Sequence, residues 1–397
     1  MTITDQRPGR TADAEPSLRE EVRALCSRFP DEYWRDLDLV RGYPDEFVQA
    51  FTDAGLLAAL IPTEYGGRGM TLRQASIIME EINRSGGHSA ACHAQMYTMG
   101  ALLRHGSDEQ KAQYLPEIAA GRLRLQAFSV TEPEAGSDTT RITTRAVRDG
   151  DGYVITGHKN WTSRMEQTDL ALVLARTDDR AESEADRTKG LSLFLVDLRE
   201  VRATAPETLR VEPVRTMFNY ATNQVWYQGM RVPASSLVGR EGDGFRYVID
   251  GWNAERILLA AEAVGDGYWF VERASDYVRD LDRFGRKLGS FQGVQFPLAK
   301  AYADVRAADL MRFDAADRFD AGEPCGVEAN MAKLLASDAS WAAANAAVDS
   351  LGGNGFVDAY DVERKFRETR MFRVAPISNN LILAFIGTKA LGLPRST

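Results

Sequence analysis

LQAFSVTEPEAGSD, residues 125–138, is the stretch that decides the fold. Leu125 to Thr131 is short, apolar and partly β-branched, and Pro133 to Gly136 then turns the chain. Upstream the chain reads as helix. Leu18, Val22, Leu25 and Phe29 make one helix face across Ser17 to Phe29. Pro44-Asp45 opens a helix that runs to Ala54, and Gly66-Gly67-Arg68-Gly69 is a turn. Thr71-Leu72-Arg73-Gln74 is a capping-box pattern with helix to Arg84 beyond it, and Ser107-Asp108-Glu109-Gln110 repeats the device. Downstream, Tyr153–Thr156, Leu170–Ala175, Leu191–Val196 and Asn223–Val232 are again short and apolar. Turns such as Arg148-Asp149-Gly150-Asp151-Gly152 separate them, the pattern of a compact antiparallel barrel or sandwich. Asp178 to Gly190 reads as a solvated loop.

From Gly244 the periodicity becomes helical over residues 244–282, 291–320, 327–350 and 361–390, which predicts an antiparallel four-helix bundle. The expected class is α+β, mostly α. Its parts are a flexible arm (1–16), a helical domain (17–122), a β-barrel domain (123–238) and the bundle (239–397).

Composition narrows the function. With 48 Lys plus Arg against 57 Asp plus Glu, the net charge of -9 argues against nucleic acid and anionic membrane as partners. No apolar run is long enough to insert in a membrane. Met1 to Pro16 lacks the apolar stretch of a secretory signal. Three cysteines without a CxxC pair fit a reducing cytosol and a cytoplasmic protein. His88 and His93 lack the spacing of a helical zinc pair, so no metal site is expected. Gly239-Arg240-Glu241-Gly242-Asp243-Gly244 has no strand–helix setting for a dinucleotide loop.

Several motifs together resemble the acyl-CoA dehydrogenase family. Val130-Thr131-Glu132-Pro133-Glu134-Ala135-Gly136-Ser137-Asp138 looks like its VTEPxAGSD segment. Gly157-His158-Lys159-Asn160-Trp161-Thr162-Ser163 looks like its GxKxWxT/S segment. Phe284-Gly285-Arg286 with Phe291-Gln292 resembles its FGR…Q element, and Leu351-Gly352-Gly353-Asn354-Gly355-Phe356 its LGGxGF turn. The likeness spans residues 17–390. It implies FAD as cofactor and an acyl-CoA or carrier-bound acyl thioester as substrate. It also implies an electron-transferring flavoprotein as acceptor and a homotetramer.

The resemblance carries residue roles. Phe128, Val130, Thr131, Trp161 and Ser163 are expected around the flavin, Trp161 as a wall and the hydroxyls near the pyrimidine edge and N5. Gly136 and Ser137 suit close approach to phosphate or pantetheine. Arg283, Phe284, Gln292, Leu351, Gly352 and Gly353 are expected at the adenine half across a subunit boundary, and Ser378 and Asn380 at FAD. Leu281 stands where the family has an arginine, leaving Arg279 and Arg283 as replacements. Trp252, Asn253, Arg256 and Ser137 fall at the substrate, although Asn253 replaces an aspartate thought to touch CoA.

Desaturation needs a base for the α-proton. Most members carry it late in the bundle, where this chain has Pro376. The alternative position on the first bundle helix reads Trp252-Asn253-Ala254-Glu255-Arg256, which makes Glu255 the expected base. Pro376 also removes a backbone N–H that polarises the thioester, a loss of roughly 3–4 kcal/mol in barrier unless a neighbour such as Ile377 replaces it. Met96, Tyr97 and Met99 fit either an acyl pocket or plain core. Other readings are an enoyl-thioester reductase, an elimination enzyme and a non-catalytic partner subunit.

Overall fold

The computed structural model describes residues 14–178 and 187–394. Helices come first: α1 (Ala14–Cys26), α2 (Asp31–Val40), α3 (Asp45–Asp53), α4 (Leu72–Arg84), α5 (Ala90–His105) and α6 (Asp108–Ala119). Both predicted capping boxes form. The Thr71 hydroxyl accepts from Gln74 N at 3.2 Å while Gln74 Oε1 accepts from Thr71 N at 3.1 Å. Ser107 and Gln110 repeat the pair at 3.2 and 3.1 Å. α1 starts inside the expected arm, because Arg19 ties it to α4 through Glu80 at 2.8 Å. The rest of that arm, and most of the Asp178–Gly190 loop, lies outside the described residues.

The strands are β1 (Leu125–Ser129), β2 (Arg145–Asp149), β3 (Gly152–Ser163), β4 (Leu170–Arg176), β5 (Leu191–Asp197), β6 (Leu209–Pro213), β7 (Thr222–Pro233) and β8 (Leu237–Val238). Helix α7 (Leu198–Thr204) follows β5. The sheet runs β6-β7-β3-β2-β4-β5-β8, and β1 lies parallel to β4. β2 meets β4 only through the parallel bridge Arg145–Arg176. Its faces enclose Tyr153, Val173, Phe194 and Tyr227. Among the described residues nothing pairs β6 with β8, so the sheet is open and mixed where the sequence predicts an antiparallel barrel. Alternating apolar residues report that a strand buries a face, not which neighbour it pairs with.

Helix α8 (Gly244–Asp280) leads the bundle, and the hairpin β9 (Asp282–Arg283) and β10 (Arg286–Lys287) joins it to α9 (Gln292–Asp320). α10 (Gly326–Leu351), α11 (Val362–Thr369) and α12 (Asn379–Lys389) complete it. The predicted single helix over 361–390 is thus two. Pro376 lacks an N–H and disfavours helix at Ala375, so the chain breaks between α11 and α12.

α8 is buried along most of its length because α4, α5, α9 and α10 pack around it. Gly265 lets α4 approach: a Cβ there would lie 2.4 Å from the Glu80 carbonyl oxygen. Backbone cannot yield as a side-chain tip can. Gly265→Ala is therefore expected to destabilise the protein by roughly 1–3 kcal/mol, read as a lower urea midpoint at unchanged slope. An unchanged midpoint would show that the crossing has slack.

Candidate functional site

Two motif segments meet at one end of the sheet. The Asn160 N–H donates to the Thr131 carbonyl at 2.8 Å, joining the VTEP segment to β3. Against β7, Lys159 faces Val225 and Thr162 faces Asn223, so Asn160 and Trp161 together oppose only Gln224. This is a β-bulge, and it re-aims a side chain. Trp161 sits at φ 60° and is 56% exposed. A residue of this size at positive φ is uncommon and marks a constrained site. The exposure excludes a core role for Trp161.

Around that indole the hydroxyls divide. Thr162 is buried, its Oγ1 3.1 Å from Ser129 Oγ, which also accepts from Tyr227 OH at 2.9 Å. Ser163 is half-buried, 3.0 Å from Thr222 Oγ1. Thr131, Phe128 and Val130 are also half-buried. Gly136 and Ser137 are exposed on the turn, and nothing lies within 4 Å of where a Gly136 Cβ would stand. An open aromatic face beside hydroxyls and backbone suits a planar heterocycle with a polar rim, so these residues fit a flavin.

The turn is clamped from beneath by an ion pair that sequence reasoning passed over. Buried Lys159 donates to Glu132 Oε1 at 3.0 Å and to the Val130 carbonyl at 2.8 Å. Glu132 also accepts from Thr143 N at 2.7 Å, Thr143 Oγ1 at 2.8 Å and Thr144 N at 2.8 Å. Burial alone would raise the Glu132 pKa, but Lys159 and these hydrogen bonds outweigh it and hold it at about 2. Burial lowers Lys159 to about 8 although Glu132 opposes the shift. Motif context drew the reading to hydroxyls and ring; the acid and lysine inside the same motifs are the fasteners.

Glu255 projects from α8 and is only 9% exposed. No hydrogen bond from another described residue reaches its carboxylate. Burial raises its pKa, the Glu262 charge adds to this, and His93 and Arg256 oppose it. Tyr97 lies within its field and packs on Phe128, ring centroids 6.0 Å apart. Glu255 thus stands on the Phe128 side of the bundle. Two turns on, buried Glu262 contacts His93 Nδ1, another pair the sequence reading missed. Met96 and Met99 are fully buried and belong to the core.

Trp252 packs edge-on against Phe245, centroids 6.0 Å apart, and Asn253 Oδ1 accepts from Arg256 at 3.5 Å. Arg256 is buried with its Nε unpartnered. Lys333, also buried, donates to the Ile377 carbonyl at 2.7 Å and to Asn379 Oδ1 at 2.8 Å. Burial lowers its pKa to about 7, Asp338 opposing and Arg256 and Arg373 reinforcing the drop. Lys333 therefore anchors the break at Pro376 close to Arg256. The Ile377 N–H donates to none of the described residues. Ser378 caps α12, accepting from Leu381 N at 3.4 Å, while Asn380 is exposed.

The remaining predicted residues lie elsewhere. Asp280 is 25 residues beyond Glu255 on α8, roughly 37 Å at the helical rise. Past it lie Arg283, exposed Gln292 and Phe284, which is 94% exposed. Arg279 pairs with Asp276 at 2.7 Å. Leu351, Gly352 and Gly353 end α10 near the same end, since Asn354 Nδ2 donates to Tyr277 OH at 2.7 Å. The two groups of predicted residues therefore lie far apart on one chain. Among the described residues no group of three His, Cys, Asp or Glu could hold a metal, and no helix is long and apolar enough to cross a membrane.

Family models described as the N-terminal, middle and C-terminal domains of acyl-CoA dehydrogenase match residues 12–122, 127–225 and 242–389. The chain is 35% identical over 390 residues to acyl-CoA dehydrogenase FadE12 of Mycobacterium tuberculosis, covering 97% of this chain and 98% of that protein. It is 32% identical to cyclohex-1-ene-1-carbonyl-CoA dehydrogenase of Syntrophus aciditrophicus, covering 98% and 93%. A solved structure of a probable acyl-CoA dehydrogenase from Mycobacterium abscessus superposes with a TM-score of 0.88 at 27% identity, over 96% and 99% of the two chains.

The Glu132 clamp has a pH signature. A carboxylate held near 2 in the folded chain and near 4.5 when free contributes on the order of 3 kcal/mol. That stability is complete above pH 4.5 and is lost as pH falls towards 2. Glu132→Gln should be clearly less stable than wild type at neutral pH, the gap closing in acid. Urea midpoints at both pH values test this, and a gap that stays constant with pH would contradict it.

Proposed function

Because the chain belongs to the acyl-CoA dehydrogenase family, we propose that it carries out FAD-dependent α,β-desaturation of an acyl-CoA thioester, with Glu255 as the base. The observation that carries this reading is the buried Glu255 carboxylate, without a hydrogen-bond partner among the described residues, on the Phe128 side of α8. A carboxylate in such a setting is a stronger base than one in water. It takes the α-proton, and a bound flavin supplies the acceptor for the β-hydride.

Trp161 would wall the ring, and Ser163 and Thr131, with Phe128 and Val130 behind them, would face its polar edge. Gly136 and Ser137 would meet phosphate or pantetheine, Ser378 and Asn380 would contact FAD, and Trp252, Asn253 and Arg256 would border the thioester. Since Pro376 offers no N–H, the Ile377 amide is the candidate donor to the thioester oxygen. Lys333, on the Ile377 carbonyl, would hold the adjoining peptide in place.

Arg283, Phe284, Gln292 and the Leu351-Gly352-Gly353 turn would hold the adenine half of FAD on a neighbouring subunit, because roughly 37 Å separates their end of α8 from Glu255. The solvent-facing Phe284 ring supports such an assembly, a homotetramer by family analogy. An electron-transferring flavoprotein is the proposed acceptor. Three buried free cysteines suit a cytoplasmic setting.

Anaerobic addition of a saturated acyl-CoA should bleach the flavin of the wild-type protein. Glu255→Gln should stay yellow and lose bleaching roughly 10²- to 10⁴-fold. Because Glu255 must be ionised, the rate should rise with pH through a midpoint above 4.5, the ordinary carboxylate value. Undiminished bleaching by Glu255→Gln would assign the base elsewhere. Turnover without any bleaching would favour elimination over desaturation.

A further inference from the structure

Arg164 follows Ser163 directly, is 4% exposed, and lines a cleft with Tyr43, His88, Asn219 and Tyr220. Its backbone is fixed: φ is 61°, and its N–H donates to the Ala221 carbonyl at 2.6 Å. No described carboxylate pairs with its guanidinium, Nε lacks a partner among the described residues, and its neighbour is Tyr220, whose ring lies 4.9 Å from Cζ and whose hydroxyl it hydrogen-bonds. The acids on the same cleft are already used. Glu368 pairs with Arg364 at 3.0 Å and Lys365 at 3.2 Å, and Asp38 with Arg367 at 2.7 Å. Arg312 and Arg364, also buried, are matched, by Glu80 at 2.7 Å and by Glu368 at 3.0 Å. An unmatched buried cation costs stability, so its retention calls for a ligand.

Two neighbours suit an anion as well. His88 Nδ1 accepts from Ala90 N at 3.2 Å, which leaves the ring proton on Nε2 as a donor. Burial lowers the His88 pKa and keeps the ring neutral. The Tyr220 ring lies 5.5 Å from His88, and its hydroxyl oxygen accepts from Arg164, which leaves the phenol proton as a donor. Other polar groups here are occupied: Tyr43 OH donates to Gln126 at 2.6 Å, and Asn219 Nδ2 to the Gly42 carbonyl at 2.7 Å. The cleft therefore offers a planar, forked cation with neutral donors nearby, the match for a carboxylate. Arg164 and Glu255 both act on Tyr97 and Tyr220, so the cleft lies on the side of the proposed base and the far end of a short acyl group is the group within reach.

We propose that Arg164 binds a carboxylate at the distal end of the acyl group, so that the substrate is the CoA thioester of a short dicarboxylic acid. This rests on the desaturase reading for its chemistry but not for its binding. The probes are glutaryl-CoA and adipyl-CoA against methyl-terminated valeryl-CoA and hexanoyl-CoA. Anaerobic flavin reduction and calorimetric binding are measured on the FAD-loaded protein. Wild type should favour the carboxylated member of each pair roughly 10- to 100-fold, Arg164→Gln should erase that ratio, and Arg164→Lys should keep part of it. Flavin absorbance reports whether each variant is folded and loaded. Equal use of both members by wild type, or a ratio that Arg164→Gln leaves intact, overturns the proposal while desaturation stands. Arg164-dependent binding of the carboxylated thioesters without bleaching keeps this proposal and removes desaturation instead.

Discussion

Burial of charge along α8 is the constraint from which the rest of the site follows. The helix carries Glu255, Glu262 and Asp266 into the interior, spaced so that they follow one face. Asp266 is met by Lys365 at 2.6 Å and Asn83 at 2.9 Å, and Glu262 by His93. Unpaired ionised carboxylates cannot be buried cheaply, so α5 and α11 must bring cations and donors against α8. Glu255 is the exception, held at the edge of this network with only the fields of His93 and Arg256 to favour its ionised form. The packing that neutralises its neighbours leaves Glu255 without a partner among the described residues, as the proposed proton-transfer role requires.

The sheet solves a different problem, holding an exposed indole in place. Trp161 gains little from burial, so its position must come from its surroundings. The bulge turns it outward, and Asn160 and the Glu132–Lys159 pair lock the turn that faces it. A buried pair with hydrogen bonds on both partners resists displacement better than surface contacts do. Rigidity in the motif thus resides in its charged residues, and exposure in its aromatic one.

Legibility in the sequence followed the range of the interaction. Capping boxes are local, so Thr71 with Gln74 and Ser107 with Gln110 were readable directly. Short apolar runs located β1, the start of β3, β4, β5 and β7, but strand partners are chosen over long separations, and the parallel β1–β4 pairing left no local mark. β2 and β6, whose residues are mostly exposed, were passed over for the same reason. The break at Pro376 was written in the chain, yet the helical period on either side of it reads as one helix. Motif likeness drew Glu255 and Trp161 out of the sequence. Lys333, His93 and Arg164 carry no such flag, since a lysine, histidine or arginine in a chain is usually solvated or satisfied.

Lys333 explains how the late segment of the bundle can lose an acid and remain ordered. With proline at 376, the chain there can neither continue a helix nor supply that amide. Order has to come from side chains, and Lys333 provides it by holding both the Ile377 carbonyl and Asn379, which in turn bonds Ser337 at 3.0 Å and Asp338 at 3.0 Å. Orienting the Ile377 carbonyl fixes the peptide on its far side by planarity, and with it the Ser378 cap of α12. In the proposed mechanism, a base on α8 and a polar anchor on α10 divide work that a single glutamate on the late segment would otherwise combine. Proton transfer would depend on the first, and the geometry of the thioester pocket on the second.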